Sequence, residues 1–255
     1  MPDTFHVVPQ YQPWMRQIGL DAATVFDHPD IVAWRKLPDR ENCTLDAIVD
    51  GRPVRLHIKR WTATGAATTP AAAEVRGIGL LRDAGIPTVP LVGWGRLADG
   101  RSYVLTEDLA GYRDAEKLVQ SGEPFEPLLE PTAALAAKLH NARLHHRDLY
   151  LCHFFARQSD PTDVRLIDVA RVRPLPALLP RRWIVKDLAQ FWYSTLALPV
   201  TDEQRTRWLS TYAQARAIDP ASVRRSIERK AAAIARHDAK LRKAQPTRNV
   251  SIPET

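Results

Sequence analysis

The stretch His146-Arg147-Asp148-Leu149-Tyr150-Leu151-Cys152-His153 sets a dense polar cluster directly after the Ala/Leu-rich segment Pro131–Leu144. Twenty residues beyond Asp148 the chain reads Leu166-Ile167-Asp168. An apolar helix that delivers the chain into clustered acid, arginine and histidine requires a fold that gathers those groups at a site. Phosphoryl transfer asks for such a set: a base near an acceptor hydroxyl, a carboxylate for a metal, and a cation on the phosphates. Asp148 is placed to be the base and Asp168, ending a short strand, the metal ligand.

The cation has a candidate upstream. Residues 43–49 and 53–61 alternate as two strands around Asp50-Gly51, a strong hairpin signal. Val54, Leu56 and Ile58 fall on one face, and Arg55, His57 and Lys59 on the other. A polar connector over 62–70 leads to a helix over 70–84, opened by Pro70 and closed by Gly85-Ile86-Pro87. Glu74 lies in that helix 15 residues after Lys59 and can pair with it. Two further strands, near Leu91–Arg96 and Arg101–Glu107, precede Glu107-Asp108-Leu109, where a hinge would hold adenine through its backbone. Downstream, helices are expected over 187–198, 202–217 and 221–244. The sum is an α+β chain of two lobes: a small antiparallel-sheet N-lobe with one helix over 1–106, a hinge at 107–110, and a mainly helical C-lobe over 111–255.

Those residues, in that order, resemble a protein-kinase-like fold. More narrowly, the run from His145 through Cys152-His153-Phe154 resembles the catalytic loop of the bacterial lipopolysaccharide kinase family, the inner-core heptose and Kdo kinases. The likeness extends from about Asp39-Arg40-Glu41-Asn42 to Lys186–Ala189. It implies a kinase using ATP and Mg²⁺ to phosphorylate a sugar hydroxyl, heptose before Kdo, on lipopolysaccharide at the cytoplasmic membrane face. It further implies Asp148 as base with Arg147 beside it, Asp168 as metal ligand, and Lys59 with Glu74 as the phosphate anchor.

Three departures from protein kinases bear on that implication. No Gly-rich loop precedes Lys59, where only Gly19 and Gly51 occur, so the Asp39–Thr44 turn with Arg40 is the candidate phosphate cover. The usual Asn is replaced by His153, which either binds metal, favouring Mn²⁺ more than Asn would, or hydrogen-bonds near Asp148, or is structural. Only 18 residues separate Asp168 from Asp187, with no hydroxyl side chain and no acid among them. That segment carries Arg171, Arg173, Arg181, Arg182 and Lys186 instead, a set suited to an anionic glycolipid or phosphosugar and not to a peptide.

The net charge of +7 is concentrated over 216–248, where ten Lys/Arg face three acids. Ile227, Ile234 and Leu241 give this segment a thin apolar stripe, which either lies on an anionic inner leaflet or packs on the C-lobe. No aromatic residue occurs from Asp219 to Thr255, which argues against a nucleic-acid partner. Two cysteines make no disulfide framework, and the N-terminal residues have neither the basic nor the apolar region of a signal peptide, so a cytoplasmic protein, peripheral on the inner membrane at most, is expected. Competing readings are a small-molecule kinase of the aminoglycoside or choline-kinase type, and a catalytically silent kinase-fold scaffold.

Overall fold

The computed structural model describes residues 2–62 and 70–244. The chain divides into two compact units, Met1–Gly79 with Val89–Ala110, and Leu80–Thr88 with Gly111–Thr255.

The first unit is built on one antiparallel sheet. In chain order its elements are β1 (Thr4–Val7), α1 (Gln12–Ile18), β2 (Ile31–Lys36), β3 (Arg40–Val49), β4 (Arg52–Trp61), α2 (Pro70–Asp83), β5 (Leu91–Arg96) and β6 (Ser102–Glu107), with α2 continuing into the second unit. The strand order is β1-β5-β6-β4-β3-β2. Asp50 and Gly51 adopt φ of 49° and 75°, the left-handed pair that a two-residue hairpin with the strands' own twist requires. Strand alternation then sorts β4. Leu56 and Ile58 are fully buried with Leu45, Tyr103 and Leu105 in a core closed by Met15 of α1 and by Val25. Trp61, on the opposite face, packs with Val104 against Ala71 and Val75 of α2. Lys59 shares that second face.

Three elements here were not anticipated: β1, α1 and β2. The unit therefore holds a second short helix besides α2. Residues 40–44 are also not a turn: they pair with β2, Glu41 opposite Lys36 and Thr44 opposite Val32, and the turn lies earlier, where the Leu37 N–H donates to the Arg40 carbonyl. The connector over 62–70 falls almost wholly outside the described residues.

The second unit continues with β7 (Tyr112–Asp114), α3 (Ala115–Gln120), α4 (Glu126–Asn141), β8 (Leu144–His145), β9 (Phe154–Arg157), β10 (Asp160–Leu166), β11 (Arg173–Pro174), α5 (Pro180–Thr195), α6 (Asp202–Ala215) and α7 (Ala221–Ala244). Its core forms where α4, α5 and α6 meet. Phe191 stacks on Trp208 at 4.0 Å between centroids, and the Trp208 indole N–H donates to Thr132 Oγ1 at 3.0 Å, so the large ring is buried without an orphaned donor. Two helices begin earlier than anticipated, α4 at Glu126 and α5 at Pro180. Pro180 occupies the first turn, where its missing N–H costs nothing, and that was the overlooked signal. The apolar stripe of α7 packs on α5 through buried Val223, Ile227 and Ala231, and the Tyr193 hydroxyl donates to Asp238 at 2.5 Å.

Candidate active site

In the first unit, alternation along β4 brings Lys59 to the α2 face, and its ammonium meets the Glu74 carboxylate at 2.9 Å. Glu74 is 3% exposed. A carboxylate so buried is retained as an ion only if paired, and the pair holds the lysine at one place on the sheet. At the end of β6 the Tyr11 hydroxyl donates to Glu107 at 2.7 Å, and His57 Nε2 lies 2.8 Å from Asp108. Both side chains are thus engaged within the unit, while Leu109 is half-buried. Arg40 pairs across the ladder with Trp61, its Nε buried without a partner among the described residues.

In the second unit the chain leaves β8, passes through 146–150, and makes a 3-10 turn over Leu151–His153 before β9. Arg147 has a φ of 75°, a left-handed conformation that a side chain with Cβ adopts only when its surroundings enforce it. The enforcement comes from α5. Asp187 accepts from the backbone N–H of His146 at 2.7 Å and of Arg147 at 2.9 Å. Lys186 donates to the Arg147 carbonyl, which Gln190 also reaches at 2.9 Å. Gln190 accepts from Leu149 N–H at 3.2 Å and Ser194 from Leu151 N–H at 2.9 Å. Side chains at 186, 190 and 194, one per helical turn, thereby hold residues 147, 149 and 151 of the loop.

The titration of these groups follows their surroundings. Burial would push the Asp187 carboxyl up, but the hydrogen bond and charge of His140 and the loop N–H donors outweigh it and hold the group below the usual range. Burial lowers Lys186, and it brings His146 down to about 4, so that imidazole is neutral, with Nε2–H donating to the Ile167 carbonyl at 3.1 Å. The Cys152 thiol is pushed up by burial, with the neighbouring Glu116 carboxylate adding to the effect.

Asp148 is 19% exposed, and both of its oxygens accept from Nη1 of Arg171, at 2.8 and 2.7 Å. Its backbone carbonyl accepts from His153 Nδ1 at 2.6 Å. That bond places a ring proton on Nδ1 and turns Nε2 outward, 3.7 Å from Asp168 Oδ2. Asp168 itself has a φ of 56°. An imidazole nitrogen and a carboxylate oxygen facing each other beyond hydrogen-bond range can share a cation. No cluster of three or more His, Cys, Asp or Glu that could hold a metal occurs among the described residues. Two protein donors fit an ion carried mainly by phosphate oxygens and water, the habit of magnesium, and do not fit a dedicated metal cage.

Of the residues anticipated, Asp148, His153, Asp168 and Arg171 converge in the second unit, and Lys59 and Glu74 pair in the first. The other arginines do not converge. Arg173 donates to the Ala170 and Val172 carbonyls, Arg181 donates to Ser222 on α7, and Arg182 is exposed. The Arg147 side chain lies over Trp183, 5.5 Å from the ring centroid. Sequence reasoning missed Gln190 and Ser194. Their signal was a polar stripe, at four-residue spacing from Lys186, on a helix otherwise buried.

The family described as Lipopolysaccharide kinase (Kdo/WaaP) matches residues 32–212. Over 205 residues the chain is 33% identical to the lipopolysaccharide core heptose(I) kinase WaaP of Pseudomonas aeruginosa, covering 70% of this chain and 75% of that one. Its counterpart in Escherichia coli K12 is 28% identical over 155 residues, 54% of this chain and 58% of the relative, so the match spans little more than half of that protein. Among solved structures, the bifunctional kinase-methyltransferase WbdD aligns with a TM-score of 0.50 at 17% identity, over 76% of this chain and 42% of the other. That likeness is one of fold, and the fold is protein-kinase-like.

Proposed function

The chain belongs to the lipopolysaccharide kinase (Kdo/WaaP) family and is a phosphotransferase with an alcohol acceptor, and on that premise we propose that it phosphorylates a heptose hydroxyl of the lipopolysaccharide inner core from ATP. Asp148 takes the proton of the acceptor hydroxyl as its oxygen bonds to the γ-phosphorus and the bond to the bridging oxygen of ADP breaks. Lys59, fixed by Glu74, neutralises the ATP phosphates. A divalent cation, Mg²⁺ or Mn²⁺, held by Asp168 and His153, would supply charge neutralisation on the phosphoryl group. The backbone of Glu107, Asp108 and Leu109 is assigned to adenine, as the 107–110 hinge joining lobes 1–106 and 111–255. The β2–β3 turn, with Arg40 at its base, takes the place of a Gly-rich loop. Arg147 serves the loop conformation that presents Asp148.

The observation that carries this reading is the hydrogen bond from His153 Nδ1 to the Asp148 carbonyl at 2.6 Å. It ties the base's backbone to an imidazole whose other nitrogen faces Asp168, so base and metal donors are set by one contact. Asp187 is retained at full burial to hold that loop, as a catalytic loop needs. The acceptor is assigned to the cytoplasmic face of the inner membrane. Among the described residues no helix is long and apolar enough to cross a membrane. The exposed side of α7, with Arg225, Arg229, Lys230, Arg236, Lys240 and Lys243, suits peripheral contact with anionic lipid. Arg248 lies outside the described residues.

The test is to incubate the protein with ATP, Mg²⁺ and dephosphorylated core glycolipids, one bearing heptose and one ending at Kdo. Addition of a single phosphate to the heptose-bearing acceptor is expected by mass. Phosphate on the Kdo-only glycolipid, or on neither, would overturn the assignment.

A further inference from the structure

The base is capped by a cation, Arg171, whose side-chain hydrogen bonds among the described residues all go to it. Nη1 of Arg171 spans both oxygens of Asp148, while its Nε and Nη2 make no hydrogen bond among the described residues. The side chain is 51% exposed. Half of a planar fork built to grip an anion bidentately is therefore open. Between Asp148 and His153 the loop contributes Leu149, Tyr150, Leu151 and Cys152, none of them cationic, and the ion pair to the base among the described residues comes from Arg171. Burial lowers the titration of Lys186, which also feels both charges, Asp148 drawing it up and Arg171 down. From Val169 to Lys186 there is no acid. Arg171, with Lys186 nearby, is thus the cationic side of this loop, and Asp168 and Asp187 at the ends of that segment are its acids.

We propose that Arg171 is the specificity residue that recognises an acidic group, phosphate or carboxylate, on the acceptor: its guanidinium passes from the Asp148 carboxylate to the substrate's anion and thereby frees Asp148 to accept the hydroxyl proton. This rests on the phosphotransferase reading above and adds the acceptor chemistry. An ion pair with one partner half-exposed contributes little to stability, so a substrate anion displaces it readily. A neutral acceptor leaves both oxygens of the base occupied, and the preference for acidic acceptors follows from the same contact that restrains the base.

The experiment compares wild type with Arg171→Ala and Arg171→Lys on three forms of one core glycolipid whose heptose hydroxyl is free: the other acidic groups intact, the other phosphates removed, and the carboxylates methyl-esterified. Wild type is expected to lose about 10-fold or more in kcat/KM on whichever neutralised form lacks the recognised anion, as for a charged hydrogen bond. That arm identifies phosphate or carboxylate. In Arg171→Ala the acceptors should become equivalent, and Arg171→Lys, which keeps charge without the fork, should restore part of the difference. Equal loss on all acceptors in Arg171→Ala would show that the arginine serves the transferred phosphoryl group, and the proposal would fall. It would fall equally if wild type showed no preference. Wild-type inactivity on every form would instead overturn the kinase assignment on which it rests.

Discussion

Lys59 and Asp148 are held by opposite means. Lys59 sits on a regular strand whose ladder on both sides fixes its place, and the Glu74 carboxylate pairs with its side chain. Asp148 sits on irregular backbone, preceded by a residue at φ 75°, and its place depends on at least four side chains of α5 that bind loop main chain. A sheet supplies its own backbone partners, whereas a loop must borrow them, because buried N–H and C=O groups are costly when unpaired. The first arrangement is consequently sensitive to the charge of Glu74. The second is sensitive to the geometry of a helix 40 residues away.

The largest effect should come from the loop's own carboxylate. Asp148→Ala is expected to cost about 10²–10⁴-fold in turnover while melting like the wild type, since it removes only a partly exposed ion pair. Steady-state kinetics beside a thermal melt checks both halves. Asp187→Asn comes next. It replaces an acceptor by an amide N–H₂ facing backbone donors, and should cost about 3 kcal/mol in denaturant unfolding together with a fall in turnover of about 10²-fold. A variant as stable as wild type would break the contrast, because the loop would then hold itself. The same carboxylate has a pH signature. Its folded pKa is depressed, so its contribution is complete above about pH 4, the ordinary aspartate value, and is lost as pH falls through the lower folded value. The stability gap between wild type and Asp187→Asn should therefore be constant from neutrality to mild acid and close at lower pH. For the strand-borne lysine, Glu74→Gln should raise the KM for ATP about 10-fold with little change in kcat. Gln190→Ala should be the mildest, about 1 kcal/mol and a few-fold in kcat, with the KM for ATP unchanged.

What sequence disclosed followed the same division. Strand alternation put Lys59 opposite Leu56 and Ile58, Asp50-Gly51 specified its hairpin, and Pro70 with Gly85 bounded the helix that carries Glu74. All of these are short-range signals. β1 and β2 were hidden because they gain their identity from partners, β5 for the one and β3 for the other. In the second unit the motif residues were visible, but not what they touch. Arg171 was legible as one of five cations in an acid-free segment, and only tertiary structure singles it out on Asp148 while sending Arg181 to α7 and Lys186 to the Arg147 carbonyl. The α7 stripe likewise allowed two destinations. Val223, Ile227 and Ala231 chose α5 because a dry apolar face was available within the same chain.

The high-lying thiol of Cys152 has a practical consequence. Alkylating reagents attack the thiolate, and at neutral pH this cysteine supplies almost none, while Cys43 is buried in the sheet core with its thiol also raised by burial. Electrophilic inhibitors aimed at this loop will find no thiolate there at neutral pH. For the same reason a single cysteine installed on the exposed side of α7, for instance Lys230→Cys, should carry a spectroscopic label without first stripping the native sulfurs, and the label would test the proposed contact with anionic lipid.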